Sequence, residues 1–78
     1  MRVIVRVVGH AVEYFPGRKD RYDLEFKEPV SVRDIIERLG VNRAFVMAAI
    51  VAGKREDFDF VVTRDGTEVV LMTPPAGG

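Results

Sequence analysis

From Arg2 to Val8 the chain alternates, with Val3, Val5 and Val7 on one side and Arg2, Ile4, Arg6 and Val8 on the other. β-Branched residues at a period of two predict a strand whose all-valine side faces a core. A second alternation, Arg21 to Phe26, turns Tyr22, Leu24 and Phe26 inward and Arg21, Asp23 and Glu25 outward. That is the pattern of a half-solvated antiparallel strand, and the two strands read as a hairpin with a long connection. Within the connection, Pro16-Gly17 predicts a type II turn, with glycine where φ must be positive. The period then changes. Val32, Ile35, Ile36 and Leu39 form one apolar stripe and predict a helix over Val30–Gly40. Ser31 is suited to the N-cap, Asp34 to the positive end of the helix dipole, Val30 to a staple on Ile35, and Gly40 to the C-terminal stop.

Beyond the helix, Val41–Ala44 reads as a short link with helical-turn character, and Phe45–Ala52 as an apolar run of strand length. Gly53 ends that run, and Lys54–Asp57 reads as a polar turn. Phe58–Val62 alternates weakly and reads as a short edge strand. Asp65-Gly66 turns the chain into a last strand, Thr67–Thr73. The first and last strands carry Val, Ile and Leu on both sides, which predicts a central, parallel pair. On the last strand Glu68 is unsuited to a core, so Glu68, Val70 and Met72 should face outward. Val70 and Met72 then join Ile4, Val8 and the stem of Arg6 in a partly apolar patch of the kind that marks a partner site. The competing reading is that the Tyr14–Lys19 segment folds over this patch. Tyr14 and Phe15 read as packing over the edge of the core, and His10 as a solvated loop residue.

Seventy-eight residues make one domain. A chain of this size buries only ~60% of its unfolded surface, so the core must be compact. There is no cysteine and only one histidine, which argues against a disulfide framework and a protein-only metal site. Twelve basic and twelve acidic residues cancel, which argues against nucleic acid as a partner. No apolar run approaches the ~20 residues of a membrane span, and the first residues enter strand pattern without signal-peptide architecture. No membrane association and a cytoplasmic location are therefore expected. Asp57 and Asp59, and Lys54 and Arg55, read as solvated charges. No nucleophile–base–acid set or glycine-rich phosphate loop is present, so an independent enzyme is not expected.

The remaining chemistry lies in Arg64–Gly78, RDGTEVVLMTPPAGG. Pro74 and Pro75 favour an extended path after the last strand. Gly77-Gly78 has no Cβ and can thread a channel too narrow for other residues. The segment DGTEVVLMTPPAGG resembles the C-terminus of the MoaD/ThiS family of ubiquitin-like sulfur carriers: an Asp-Gly turn, an apolar strand, one or two prolines and Gly-Gly. The order strand, strand, helix, strand, short strand, strand agrees. The fold expected is α+β, a β-grasp with a mixed four- to five-stranded sheet and one main helix packed on one face. Residues 1–73 would form the domain and 74–78 a flexible tail.

The resemblance implies that an ATP-dependent, ubiquitin-activating-type adenylyltransferase adenylates the carboxylate of Gly78. A sulfur donor, a cysteine desulfurase or rhodanese-like protein, then displaces AMP and leaves a thiocarboxylate. Gly77 permits threading, Pro74 and Pro75 hold the tip away from the body, and Ile4, Arg6, Val70, Met72, Pro74 and Pro75 contact the partner. No bound cofactor is expected. The Pro-Pro-x-Gly-Gly ending is most similar to the small subunit of molybdopterin synthase, which pairs with a large catalytic subunit. A carrier for thiamine or another sulfur acceptor, a modifier conjugated through Gly78, and an interaction module with an inert tail remain open. Ala52-Gly53 departs from the family, where many members have an asparagine before the turn.

Overall fold

The computed structural model describes residues 1–74. Its strands are β1 (Arg2–Val8), β2 (Arg21–Glu25), β3 (Val30–Ser31), β4 (Ala48–Val51), β5 (Lys54–Glu56), β6 (Val61–Val62) and β7 (Thr67–Met72), and its one α-helix is α1 (Val32–Leu39). Five strands form one sheet in the order β2-β1-β7-β4-β5. β1 and β7 run parallel in the middle, and the other neighbours are antiparallel. β3 and β6 form a separate two-stranded ladder. The fold is a β-grasp: a mixed five-stranded sheet with α1 packed on one face.

The period-two pattern of β1 explains the centre of the sheet. Val3, Val5 and Val7 are buried, and Val5 and Val7 stand beside Val69 and Leu71 of β7. Opposite them lie Val32, Ile35, Ile36 and Leu39, so the helix stripe and the inner rows of the sheet close one core. Ser31 Oγ accepts the Asp34 N–H at 3.0 Å. The Val32 and Arg33 N–H groups, which have no partner within the helix, donate to Phe60 O (3.0 Å) and Phe58 O (2.9 Å). An Arg33–Asp59 ion pair fastens the same segment to the helix. Gly40 closes the helix at φ 76°, with its N–H on Glu37 O at 2.9 Å. Val30 and Ile35 are both buried, as the staple requires.

Several boundaries differ from the sequence reading. Lys54–Glu56, read as a turn, is the edge strand β5, joined to β4 by a two-residue turn at Ala52-Gly53. Charged residues are what an exposed sheet edge carries, so they concealed a strand. The Phe45–Ala52 run is divided: Arg43–Phe45 is a 3-10 turn capped by Asn42, and the strand begins at Ala48. Of Phe58–Val62 only Val61–Val62 is strand, paired with Val30–Ser31 rather than with the main sheet. Thr73 lies beyond the end of β7. Gly17, at φ 70° and ψ 5°, occupies the expected turn position, with Arg18 N–H on Phe15 O at 2.9 Å.

Candidate functional site

The sheet face away from α1 carries Ile4, Arg6 and Val8 on β1 and Glu68, Val70 and Met72 on β7. Cross-strand register orders them into rows. One row crosses all five strands as Arg21, Arg6, Val70, Ile50 and Arg55, with arginines outside and apolar residues in the middle. The next holds Val8, Met72 and Ala48. Ile4, Ile50, Val70 and Met72 are half-buried, while Val8 is 47% and Met47 52% exposed. Of the six expected contact residues, Ile4, Arg6, Val70 and Met72 therefore lie in one continuous patch. Ile50 extends it, and Met47 lies exposed just before β4 begins. The uninterrupted apolar run containing them gave no sign of which side faced outward.

The segment that could have covered the patch goes elsewhere. Phe15 is buried in the core. Tyr22, opposite Val5 on the core side, donates its hydroxyl to Pro16 O (2.5 Å) and Lys19 O (3.0 Å), which ties the loop to the helix-facing side. Partial burial raises the Tyr22 phenol above its ordinary value, and the Asp20 carboxylate adds to the shift. Tyr14 and Phe15, both expected over the edge of the core, part company. Tyr14 is exposed and stacks on Phe45, with ring centroids 4.9 Å apart and planes 5° from parallel.

The patch ends where β7 ends. Met47 N–H donates to Met72 O at 2.7 Å from the β4 side, and Thr73 N–H donates to Val8 O at 2.8 Å from the β1 side. The Thr73 hydroxyl also donates to Val8 O (3.1 Å) and accepts the Ala11 N–H (3.2 Å). Thr73 is only 4% exposed, whereas Pro74 is exposed. Gly9, at φ 119°, passes so close that a Cβ there would overlap Thr73 Oγ1 and stand 2.8 Å from its carbonyl oxygen. Sequence reasoning missed this junction, because nothing local links residues 9, 11 and 73. Pro75, Gly77, Gly78 and the proposed 74–78 tail beyond Pro74 lie outside the described residues. Among the described residues, no group of three or more His, Asp or Glu side chains could hold a metal ion, and no helix is long and apolar enough to cross a membrane.

Solved structures share this architecture over nearly the whole chain. A Pyrococcus furiosus protein provisionally named molybdopterin converting factor, subunit 1, matches with a TM-score of 0.72 at 20% identity, covering 95% of this chain and 98% of that one. SAMP1 from Haloferax volcanii matches at TM-score 0.74 and 14% identity, covering all of both chains. Urm1 from Trypanosoma brucei matches at 0.73 and 14%, covering 99% of this chain and 95% of that one. No family model matches the sequence, and no curated protein does. The likeness is one of fold, and it is the fold expected from the tail motif.

Proposed function

We propose that this chain is a sulfur carrier, charged at Gly78 and serving as the small subunit of a molybdopterin synthase. The observation that carries the reading is the continuity of β7. This central strand presents Val70 and Met72 on the outer patch and leads directly to Pro74 and the Pro-Ala-Gly-Gly that follows. A partner that docks on the patch is thereby placed over the root of the segment it must receive. The fold shared with the molybdopterin converting factor subunit, SAMP1 and Urm1 supports a ubiquitin-like carrier, and the choice of pathway rests on the Pro-Pro-Ala-Gly-Gly ending.

The chemistry is that of an activated acyl group. A carboxylate is a poor electrophile. Attack of the Gly78 carboxylate on the α-phosphorus of ATP forms an acyl adenylate and releases pyrophosphate. The terminal sulfur of the donor's cysteine persulfide then attacks the acyl carbon and expels AMP, and a second thiol cleaves the resulting acyl disulfide at the donor's sulfur, leaving the thiocarboxylate and a disulfide. The adenylyltransferase and the large synthase subunit supply the catalytic groups. This chain supplies the acyl end and the docking face on one polypeptide, so that delivery to the reacting centre is effectively intramolecular once the partner has docked.

The test is an intact mass spectrum after incubation with host lysate, ATP and a sulfur source. The expected result is a gain equal to replacing one oxygen by sulfur, confined to the C-terminal peptide and lost on deleting Gly78. An isopeptide-linked ladder on a denaturing gel, without the mass gain, would instead identify a protein modifier. An unchanged mass beside a charged control carrier would leave an interaction module with an inert end.

A further inference from the structure

We infer that Thr73 is a positioning residue, locked by Gly9 and Ala11, which sets the direction in which the chain leaves the sheet. The purpose assigned to this latch rests on the carrier reading above; its geometry does not.

Strand ends fray where they have no partners. Here the last residue before Pro74 is held three times over. Its N–H and its hydroxyl both donate to the Val8 carbonyl, and the hydroxyl accepts from Ala11. The preceding carbonyl, Met72 O, is held from the opposite side by Met47 N–H. A threonine side chain at 4% exposure with its donor and acceptor capacity both used is a built feature, because burying an unpaired hydroxyl is costly. Gly9 is part of it, since any side chain there would expel the Thr73 hydroxyl. Proline completes the device. It fixes its own φ near about −65° and confines the residue before it to extended conformations.

The reason for such control is leverage. Four residues follow Pro74, and fully extended they reach about 14 Å. An angular error of about 20° at Thr73 would then move the tip by about 5 Å, whereas misplacement by ~1 Å can slow a reaction a hundredfold. A docking face fixes where the partner sits; the exit direction sets the line on which the chain starts toward its active site. The latch therefore acts on turnover, and the outer patch on affinity.

The test compares the full-length wild type with Thr73→Val, which keeps the shape and removes the hydroxyl, and Thr73→Ser, which restores it. In the free protein, Thr73→Val should speed hydrogen exchange of the Ala11 amide about fivefold, the effect of one lost hydrogen bond, and Thr73→Ser should restore protection. With the activating enzyme, ATP–pyrophosphate exchange should show kcat about three- to tenfold lower for Thr73→Val at unchanged KM for the carrier, with recovery in Thr73→Ser. Val70→Glu, on the docking face, should raise KM instead. Unchanged Ala11 exchange in Thr73→Val would overturn the latch. Faster exchange with unaltered kcat would reduce it to a structural contact. Absence of pyrophosphate exchange with the wild type would remove the carrier reading and with it the positioning role, while the Ala11 comparison still decides the latch.

Discussion

Arg6 and Arg21 stand directly opposite each other across the β1–β2 ladder, two like charges on the outer face. Glu68 on the neighbouring strand comes within 4.0 Å of the Arg6 guanidinium and offsets the repulsion. Like charges directly opposite are unfavourable, so this arrangement costs the isolated domain stability. Replacing Arg21 by Glu should stabilise the domain by about 0.2–1 kcal/mol at low ionic strength, read from urea midpoints. The gain should shrink in 1 M salt, where the screening length falls to ~3 Å. If Arg21→Glu also weakens association with a partner, the arginine pair is maintained for recognition at the expense of stability.

A second site of strain lies at the turn between β4 and β5. Ala52 has φ 49° and Gly53 φ 85°, positive at both central positions of a two-residue hairpin. Such a turn favours Asn-Gly, because an alanine Cβ in the left-handed region crowds the following carbonyl. Ala52→Asn should stabilise the domain by about 0.5–1 kcal/mol, and thermal melts should rise by roughly 2–8 °C. Loss of stability would show that the Ala52 methyl makes a contact more valuable than the relief of strain.

How much could be read beforehand follows from where the information lies. β1 and α1 were legible because their patterns are local: alternating valines, a stripe at helical spacing, Ser31 and Gly40 at the ends. The outer face was legible from one residue, Glu68, whose charge fixed the direction of its whole strand. β5 was not, because Lys54-Arg55-Glu56 carries the same charges whether it turns or lines an edge. The short β3–β6 ladder joins residues about thirty positions apart with two residues on each side, too few for any period to register. The Gly9–Thr73 junction depends on the parallel pairing of the first and last strands, which brings the two residues together only in the folded molecule.

Val70 and Leu71 are neighbours in sequence with opposite duties. Leu71 is fully buried beside Val7, whereas Val70 is half-buried between Arg6 and Ile50 on the outer face. Leu71→Ala should destabilise by about 2–5 kcal/mol. At ~0.05–0.15 kcal/mol per residue for the whole domain, that is a large share of the total. Val70→Glu should cost less than about 1 kcal/mol, because it opens no cavity and sets a carboxylate beside an arginine. Measured by calorimetry and by binding to the activating enzyme, Leu71→Ala should lower the melting temperature sharply, and Val70→Glu should lower affinity with little change in melting. Equal losses of stability would show that the outer face is a second core.

Tyr22 ties the long loop to the sheet through its proton, and this makes stability depend on pH at the alkaline end. Its phenol is raised above the ordinary value of about 10, chiefly by burial, with a smaller contribution from Asp20. The backbone hydrogen bond at Lys19 opposes the rise without cancelling it. With the folded-state pKa above the unfolded one, the contribution is complete below about pH 10 and is lost as pH rises through the raised value. Wild-type stability should therefore fall with pH in that window, beyond any change shared by Tyr22→Phe. Below the window Tyr22→Phe should already be less stable, by about 0.5–1.5 kcal/mol for each hydrogen bond that was effective. Parallel pH profiles for the two proteins would mean that the phenolate is accommodated, and that Tyr22 holds the loop by packing alone.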